Sequence, residues 1–414
     1  MRIDRLRVKN FRGFVDREFT FAPGFNVFVG ENGAGKTSAL DAIALLLSSI
    51  AERLRGKREG FSLNESRDAR RVLHSLQDTI TQEQQWPVAL ECGGLLNDQG
   101  IGWGRKFSRQ GEEVVSGQWS NGQPFIRNHF YDHDVQKPAD AIANAVMRGE
   151  LRTIPALAYY PSSRLWTFPT IELEEVTAPG SRLRGYEGWH TPDAQVRRWL
   201  TWFKTQELIR LQEGSAPPVF GAVRAAVVAC VEHCTDIAWI ARAGELVLTF
   251  DDGRRVPFRD LSDGQRSMCA LVGDLAHRCA ELNPQLGLVA ATETPGIALI
   301  DEIDLHLHPR WQRRVVDDLR RVFPRVQFFA TTHSPFIIQS LRPGELIDLD
   351  GRDVGEYAQQ PIEDIAEEVM GVEVPQRGER SRKMTEAAEE YYRALDAIPQ
   401  ATPRRGRPTE TTAR

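Results

Sequence analysis

The chain has 414 residues, of which 41% are hydrophobic and 26% are charged, and its formal net charge is −5. This length accommodates one large or two ordinary domains, and the composition is ordinary for a soluble globular protein. The slightly acidic balance excludes a global electrostatic attraction to nucleic acid, although a local basic patch stays open.

The chain contains five cysteines, a sparse and odd number, and no signal peptide is evident in the sequence. We therefore expect reduced thiols and a cytoplasmic protein. No apolar run approaches the length of a membrane span, so we expect no membrane association. Cys230, His233 and Cys234 could be part of a metal site, but no second ligand pair follows, and core cysteines on a helix are the better interpretation.

The first predicted elements are strands that lead into a glycine-rich loop. Residues 2–8 alternate loosely between polar and apolar side chains, and 19–21 and 25–29 add apolar runs. Residues 30–37 then read GENGAGKT, which fits the phosphate-loop pattern G-x-x-x-x-G-K-[ST]. The stretch 38–50 is apolar at helical spacing, as the loop-to-helix context requires.

The residue types in this loop are those that a phosphate site needs. Its glycines let the backbone turn tightly and aim N–H groups at phosphates, and the next helix presents its positive end to them. Lys36 can reach the β- and γ-phosphates, and the Thr37 hydroxyl can hold Mg²⁺. The sequence therefore predicts ATP and Mg²⁺ as cofactors. The candidate binding residues of the loop are Asn32, Gly33, Gly35, Lys36, Thr37 and Ser38.

The next part of the chain alternates between strand and helix patterns. Short β-like runs separated by glycines occupy 87–119, and the polar, irregular stretch 121–135 is typical of a mobile loop. Residues 154–160 predict a buried strand. Thr191-Pro192 predicts a helix with a hydroxyl cap and a proline in its first turn, and its apolar face would be Val196, Trp199, Leu200 and Phe203.

Further along, a second helix is predicted over 219–234. Residues 245–250 and 254–258 flank Asp251-Asp252-Gly253, which is a hairpin signal. Two mostly buried strands, 297–300 and 326–331, follow with a helix between them over 310–321.

The first of these two strands ends in two carboxylates, Asp301 and Glu302. A strand buried on both faces delivers its last side chains to the carboxyl edge of a parallel sheet, where nucleotides bind. Asp301 is then placed to hold Mg²⁺ and Glu302 to polarise the attacking water. Two adjacent acids can also form a solvated strand end, but the upstream phosphate loop favours the functional interpretation.

A second candidate anion site lies at another helix start. Residues 261–266, LSDGQR, precede an apolar helical stretch, with Ser262 and Gly264 at the predicted first turn. The site has no lysine, so alone it would bind phosphate weakly, and an ordinary N-cap explains the same residues. Spacing alone does not require it to meet the phosphates of Lys36.

The order of these motifs resembles that of the ATP-binding-cassette (ABC) ATPases. Three stretches resemble the branch that includes RecF, the SMC proteins and the overcoming-lysogenisation-defect nucleases: 10–14 (NFRGF), 301–309 (DEIDLHLHP) and 331–335 (TTHSP). The resemblance implies an α/β fold, namely a P-loop NTPase of ABC-ATPase type with a mixed β-sheet flanked by helices and an inserted mixed α/β and helical subdomain.

In such proteins two heads enclose two ATP molecules, and each signature serine contacts the γ-phosphate held by the partner's phosphate loop. The resemblance therefore implies a homodimer through an ATP sandwich, with a higher oligomer left open. By position, it assigns Ser262 and Gly264 to the nucleotide of the partner, and it adds Gln265 to the nucleotide-binding residues.

The same resemblance assigns roles outside the main motifs. It implies that Arg12 approaches the phosphates, that His333 senses the γ-phosphate beside the catalytic Glu302, and that Asp304 belongs to the loop at the dimer interface. His306 and His308 also fit a metal-ligand pair, but the pattern serves packing and capping in this branch, which is the favoured interpretation. The glutamine that usually follows the first lobe is not placed, with Gln77 and Gln82 as candidates.

These motifs divide the chain into four regions. Residues 1–50 and 255–350 form the two lobes of the ATPase head, and 51–254 form a partly helical lobe extension and insertion. Residues 351–397 form a C-terminal helical region, and 398–414 have the composition of a disordered basic tail.

The regions between motifs narrow the resemblance. The segment between the phosphate loop and the signature (261–266) is too short for SMC arms. The segment after the histidine motif (331–335) is too short for the nuclease domain of the overcoming-lysogenisation-defect proteins. The acids of 345–350 fit strand alternation better than a nuclease site. Stretches 155–166, 202–207 and 363–372 look like the stand-alone bacterial anti-phage defence ATPases of the Septu (PtuA-like) and retron-associated kind.

Such ATPases are typically encoded beside a small HNH-type nuclease. The resemblance implies that this chain hydrolyses ATP and regulates a partner nuclease, with nucleic acid bound directly or through that partner. Two alternatives stay open: a RecF-like DNA-repair ATPase, which needs one basic patch in the insertion, and a slow-turnover scaffold that uses ATP to dimerise.

Overall fold

The computed structural model describes residues 1–57, 63–76, 79–108, 111–117, 135–164, 180–352, 357 and 360–370. The strands are β1 (Arg2–Phe11), β2 (Phe14–Thr20), β3 (Phe25–Val29), β4 (Arg71–Leu76), β5 (Thr79–Gln84), β6 (Val88–Leu96), β7 (Gln99–Ser108), β8 (Gly111–Gly117), β9 (Ala156–Tyr160), β10 (Cys234–Ile240), β11 (Glu245–Phe250), β12 (Arg255–Pro257), β13 (Gly296–Ile300), β14 (Val326–Thr331) and β15 (Leu346–Asp348). The helices are α1 (Lys36–Arg55), α2 (Glu65–Asp68), α3 (Gln136–Met147), α4 (Pro192–Glu213), α5 (Pro218–Cys230), α6 (Asp263–Leu282), α7 (Ala290–Glu293), α8 (Pro309–Gln312), α9 (Val315–Val322), α10 (Pro335–Gln339) and α11 (Ile362–Asp364).

The central sheet is parallel and has the order β15-β3-β14-β13-β9. Every residue is buried in β3, β14, β13 and β9. Their mostly apolar runs explain this, because a parallel sheet is covered on both faces. The carboxyl ends of all five strands meet at one edge, so the residues that follow them come together there.

A second, antiparallel sheet has the order β2-β1-β6-β7-β8. Strands β1 and β2 come from the predicted head, whereas β6 to β8 come from the predicted extension. Likewise β9, which lies in the predicted extension, pairs with β13 in the central sheet. Both sheets therefore combine strands of the predicted head with strands of the predicted extension, so the boundary predicted at residue 50 does not separate them.

Two buried amide side chains of the central sheet bond main-chain groups outside it: Gln327 reaches β1 of the second sheet, and Asn26 holds the connection between β2 and β3. Gln327 on β14 accepts a hydrogen bond from the Ile3 N–H and donates to the carbonyls of Ile3 and Ala22, each at 2.8 Å. Asn26 on β3 accepts from the Ala22 N–H at 2.7 Å and donates back to the Ala22 carbonyl at 2.9 Å. The bonds to Ile3 satisfy buried main-chain groups, which need such partners, and those to Ala22 satisfy partly buried ones.

Several predicted elements are confirmed. The hairpin of β11 and β12 forms around residues 251–253, and the apolar face of the helix that begins at Pro192 is buried. Thr191 precedes that helix, as predicted, but its side chain makes no capping hydrogen bond. The predicted hydroxyl cap is therefore wrong.

Two predicted helices are wrong in extent. The helix predicted over 219–234 ends at Cys230, because Val231 is extended and His233 has a φ of 60°. Cys234 instead begins β10. The helix predicted over 310–321 is two short helices, α8 and α9, with Arg313 and Arg314 between them.

Other predictions fall outside the described residues: the loop over 121–134, the tail over 398–414 and the C-terminal helical region from 371 onward. Within the described ranges, no helix is both long and apolar enough to cross a membrane.

Replacing Gln327 by Leu should lower the free energy of unfolding by about 3 kcal/mol, because it removes the amide that bonds the buried N–H and carbonyl of Ile3. Urea unfolding followed by tryptophan fluorescence measures the change. Gln285→Leu serves as the control, because its amide is more exposed and makes only long contacts of 3.4 and 3.5 Å. An equal effect of the two substitutions would contradict the bridging role of Gln327.

Candidate nucleotide site

The phosphate loop lies between β3 and α1, as predicted. Gly33 and Gly35 have φ values of 89° and 100°, in the left-handed region that favours glycine. At Gly35 a β-carbon would also lie 2.8 Å from the Phe14 ring. Both the turn and the close approach of Phe14 therefore require glycine immediately before Lys36.

Lys36 lies at the start of α1, with its ammonium folded over the loop. Its Nζ donates to the carbonyls of Gly30 at 2.7 Å and Glu31 at 3.0 Å. Burial lowers the pKa of Lys36, and the carboxylates of Asp350 and Asp301 oppose that shift. The loop thus holds a cation beside its turn of backbone N–H groups, an arrangement suited to phosphates.

Three motifs that are distant in sequence meet at Asp301, whose side chain is almost completely buried. The Thr37 hydroxyl donates to Asp301 Oδ2 at 3.0 Å, and the Thr331 hydroxyl donates to Oδ1 at 2.6 Å. Thr331 also accepts a hydrogen bond from the Glu302 N–H at 2.7 Å. The parallel sheet explains the meeting, because β13 and β14 are neighbours that end at the same edge.

Glu302 has a φ of 51°, an uncommon left-handed conformation for a residue other than glycine. This conformation costs on the order of 1 kcal/mol. In the described part of the chain its carboxylate has no hydrogen-bond donor, and it is partly exposed. Its main chain is held at both ends, since Thr331 accepts from its N–H and Arg164 donates to its carbonyl at 2.7 Å.

Arg12 lies beside the start of α1 and is engaged by two carboxylates. Its guanidinium donates to Asp41 Oδ2 at 2.5 Å and to Asp68 Oδ1 at 3.1 Å. The Tyr159 hydroxyl donates to the second oxygen of Asp41 at 2.6 Å. Because Asp41 is one helical turn beyond Thr37, this network borders the loop. The contact of Arg12 with phosphates stays a prediction.

His333 follows β14 at the same edge, with an exposed side chain. Its N–H points to Asp304 Oδ1 at 3.4 Å, and the neighbouring Thr332 hydroxyl donates to the same oxygen at 2.6 Å. Asp304 therefore ties the turn after β13 to the turn after β14. The sensing role of His333 stays a prediction.

The signature residues form a capping box at the start of α6. Ser262 Oγ accepts from the Gln265 N–H at 3.4 Å, and Gln265 Oε1 accepts from the Ser262 N–H at 3.3 Å. A β-carbon at Gly264 would lie 2.7 Å from the His306 carbonyl oxygen, so the helix start packs directly on the loop after Glu302. Among the described residues, no hydrogen bond joins the signature to the phosphate loop of the same chain.

The alternative metal sites gain no support. Within the described ranges, no group of three or more His, Cys, Asp or Glu side chains is arranged to hold a metal ion. His308 instead caps α8, where its Nδ1 accepts from the Arg310 N–H at 3.3 Å. Burial raises the pKa of Cys230 to about 12 and that of Cys234 to about 11, which disfavours the thiolate that a metal would need.

Sequence reasoning did not place Asp350 and Arg352 at the site. Asp350 Oδ2 accepts from the Glu31 N–H in the phosphate loop at 2.8 Å. Arg352 donates to the Glu31 carboxylate and to the Val369 carbonyl, both at 2.8 Å. No local pattern identifies these residues; they reach the loop because they follow β15, which pairs in parallel with β3. Of the glutamine candidates, Gln82 lies on the β4–β5 hairpin and Gln77 lies outside the described residues.

The residues present fit a nucleotide with a divalent cation. Thr37 and Asp301 supply a hydroxyl and a carboxylate in contact with each other, and Mg²⁺ prefers such oxygen ligands. The loop N–H groups and Lys36 complement phosphates. Fold and site together define a P-loop nucleotide-binding protein.

The sequence places that class in one family. Residues 25–339 match the family described as "AAA domain, putative AbiEii toxin, Type IV TA system", and the chain belongs to this family of P-loop ATPases.

Two curated relatives and one solved structure illustrate the similarity. The chain is 42% identical to the "Retron Vc95 probable ATPase" of Vibrio cholerae serotype O1 biovar El Tor, over 25% of this chain and 20% of that protein. It is 30% identical to the "Septu protein PtuA" of Bacillus thuringiensis, over 37% of this chain and 40% of that protein. The chain thus spans less than half the length of these relatives. The SMC head domain from Thermotoga maritima aligns with a TM-score of 0.44 and 15% identity, over 84% of this chain and 94% of that one.

Lys36→Ala should weaken the binding of a fluorescent ATP analogue by about 100-fold, because the loop loses charge-assisted hydrogen bonds to phosphate. Equilibrium titration followed by fluorescence anisotropy measures the affinity. Lys204→Ala is the matched control. Lys204 lies on α4, and its ammonium lies over the Trp239 ring. Unchanged affinity in Lys36→Ala would remove this lysine from the binding site.

Proposed function

We propose that the chain binds ATP with Mg²⁺ at the phosphate loop and hydrolyses it. The observation that carries this proposal is the set of contacts Thr37–Asp301–Thr331–Glu302, which brings the loop and both acids to one edge of the sheet. Mg²⁺ there would neutralise developing phosphate charge. In this proposal, Thr37 and Asp301 hold the cation, Lys36 binds the β- and γ-phosphates, and Glu302 orients and polarises the attacking water.

We further propose that two chains close around two ATP molecules. The capping box at Ser262 leaves an exposed helix start that has no described contact with its own phosphate loop. Such a helix start, without a lysine, contributes mainly when it closes on a phosphate that a partner already holds. The packing of Gly264 on His306 also supports this proposal, since it sets the signature beside the loop that contains Asp304.

Glu302→Gln should keep ATP binding but slow phosphate release by about 1,000-fold, because the water loses its base while the binding charges remain. It should also accumulate an ATP-dependent dimer, measured by light scattering with and without ATP. Hydrolysis by Glu302→Gln at the wild-type rate would mean that another residue positions the water.

Adding Ser262→Arg to Glu302→Gln tests the arrangement of the dimer. The added side chain should abolish the ATP-dependent dimer while each chain keeps its affinity for the fluorescent analogue. A dimer of equal stability would show that the signature does not act on the partner's nucleotide.

For the cellular role, we propose that the chain is a cytoplasmic anti-phage defence ATPase that regulates an HNH-type nuclease. The similarity to a retron ATPase and to a Septu protein supports this role. A RecF-like role needs a basic patch in the insertion, but many of its described arginines are engaged in internal ion pairs. Examples are Arg55 with Glu187, Arg198 with Glu281 and Arg224 with Asp236. A scaffold role would instead show nucleotide-dependent dimers with very slow turnover.

The C-terminal region is the proposed docking segment for that nuclease. Arg352 supports it, because its guanidinium joins the phosphate loop to the Val369 carbonyl immediately before this segment. Deletion of residues 371–414 should leave ATP binding unchanged and abolish co-purification with a nuclease encoded beside the gene. Retained co-purification of the deleted chain would place the docking surface elsewhere, and the full-length chain is the control.

A further inference from the structure

We infer that Arg164 is a positioning residue for hydrolysis, which holds the main chain of Asp301 and Glu302 so that the Glu302 carboxylate faces the nucleotide. This inference rests on the proposed function for its chemistry. Arg164 belongs to none of the nucleotide motifs. The sheet nevertheless brings it to the site, because β9 pairs in parallel with β13 and the two strands end side by side, with Tyr160 opposite Ile300.

A tight turn after β9 places the Arg164 side chain under the two acids. Its N–H donates to the Pro161 carbonyl at 3.1 Å, and only 2% of the residue is exposed. One guanidinium nitrogen donates to the carbonyls of Pro161 and Asp301, and the other donates to the carbonyl of Glu302 at 2.7 Å. The guanidinium therefore binds main-chain oxygens rather than a carboxylate. Burial lowers the pKa of Arg164 to about 10, and the nearby carboxylates of Asp301 and Glu302 oppose that shift.

These contacts fix the two peptide groups on either side of the Glu302 α-carbon. The preceding peptide is held through the Asp301 carbonyl by Arg164 and through the Glu302 N–H by Thr331. The following peptide is held through the Glu302 carbonyl, which accepts from Arg164 and from the Leu305 N–H at 2.9 Å. With both peptides fixed, the left-handed φ of Glu302 and the direction of its Cα–Cβ bond are fixed as well.

A lysine ammonium cannot replace the Arg164 guanidinium here. The planar guanidinium presents several N–H donors in a rigid fork, so it can serve adjacent carbonyls at once, whereas an ammonium on a flexible stem cannot hold the same geometry. The Glu302 carboxylate has no donor among the described residues, so its placement depends on the main chain. An error of about 1 Å in such a group costs about 100-fold in rate.

The molecule offers a matched control in Arg182. This guanidinium also binds main-chain oxygens, with bonds of 2.7 Å to the carbonyls of Arg152 and Glu150 and 3.2 Å to that of Leu282. None of these carbonyls belongs to the nucleotide site. Arg182→Met therefore removes the same kind of contact without touching the acids.

The experiment compares Arg164→Met, Arg164→Lys and Arg182→Met in the full-length chain. Nucleotide-binding stoichiometry with a fluorescent ATP analogue corrects each preparation for folded protein. We expect Arg164→Met to lower kcat about 100-fold with the Kd of the analogue changed less than about 3-fold, Arg164→Lys to recover part of the loss, and Arg182→Met to keep wild-type kcat. A wild-type kcat in Arg164→Met would overturn the inference.

Hydrogen exchange of the peptide spanning residues 301–307 gives a readout that does not depend on activity. Exchange there should be faster in Arg164→Met and unchanged in Arg182→Met. Without Arg164 the carbonyls of Asp301 and Glu302 are no longer held, so the segment opens more often and the N–H groups of Glu302 and Ile303 leave Thr331 more often. Unchanged exchange in Arg164→Met would also overturn the inference. If the wild-type chain itself releases no phosphate, the proposed function fails, while hydrogen exchange still decides whether Arg164 holds this segment.

Discussion

The site depends on a parallel sheet whose strands all end at one edge. The chemical groups at this edge come from several separate parts of the sequence, and strand pairing brings these parts together. The Thr331 hydroxyl shows this dependence directly, because it donates to the side chain of Asp301 and accepts from the N–H of Glu302. A shift of one residue in the register of β14 against β13 would turn that hydroxyl to the other face.

The basic side chains at this edge each lie close to acidic ones. Lys36 is surrounded by loop carbonyls and nearby carboxylates, Arg12 lies between two acids, and Arg164 lies beneath two more. Buried cations without such partners would be strongly disfavoured. Asp301 and Glu302, the acids that the proposed chemistry needs, therefore also favour the charged forms of Lys36 and Arg164.

The sequence predicted the parts of the site that are contiguous in the chain. The phosphate loop, the strand that ends in Asp301 and Glu302 and the cap at Ser262 each have a local pattern that identifies them. The sequence did not predict Asp350, Arg352 or the role of Arg164, because these residues matter only through strands that are neighbours in space. Helix ends were also missed, as at Cys230, where the sequence pattern continues but a left-handed residue, His233, redirects the chain.

The strand order has a consequence for how the protein is made. The neighbours β3 and β14, and likewise β9 and β13, are separated by long stretches of chain, so the central sheet is built almost entirely from non-local pairings. Such pairings form slowly because the intervening chain must first be brought together. During synthesis, the phosphate loop leaves the ribosome long before β13 and β14 exist. The early half of the chain therefore exposes apolar strands that have no partner yet, a state that favours aggregation and chaperone binding until the late strands arrive.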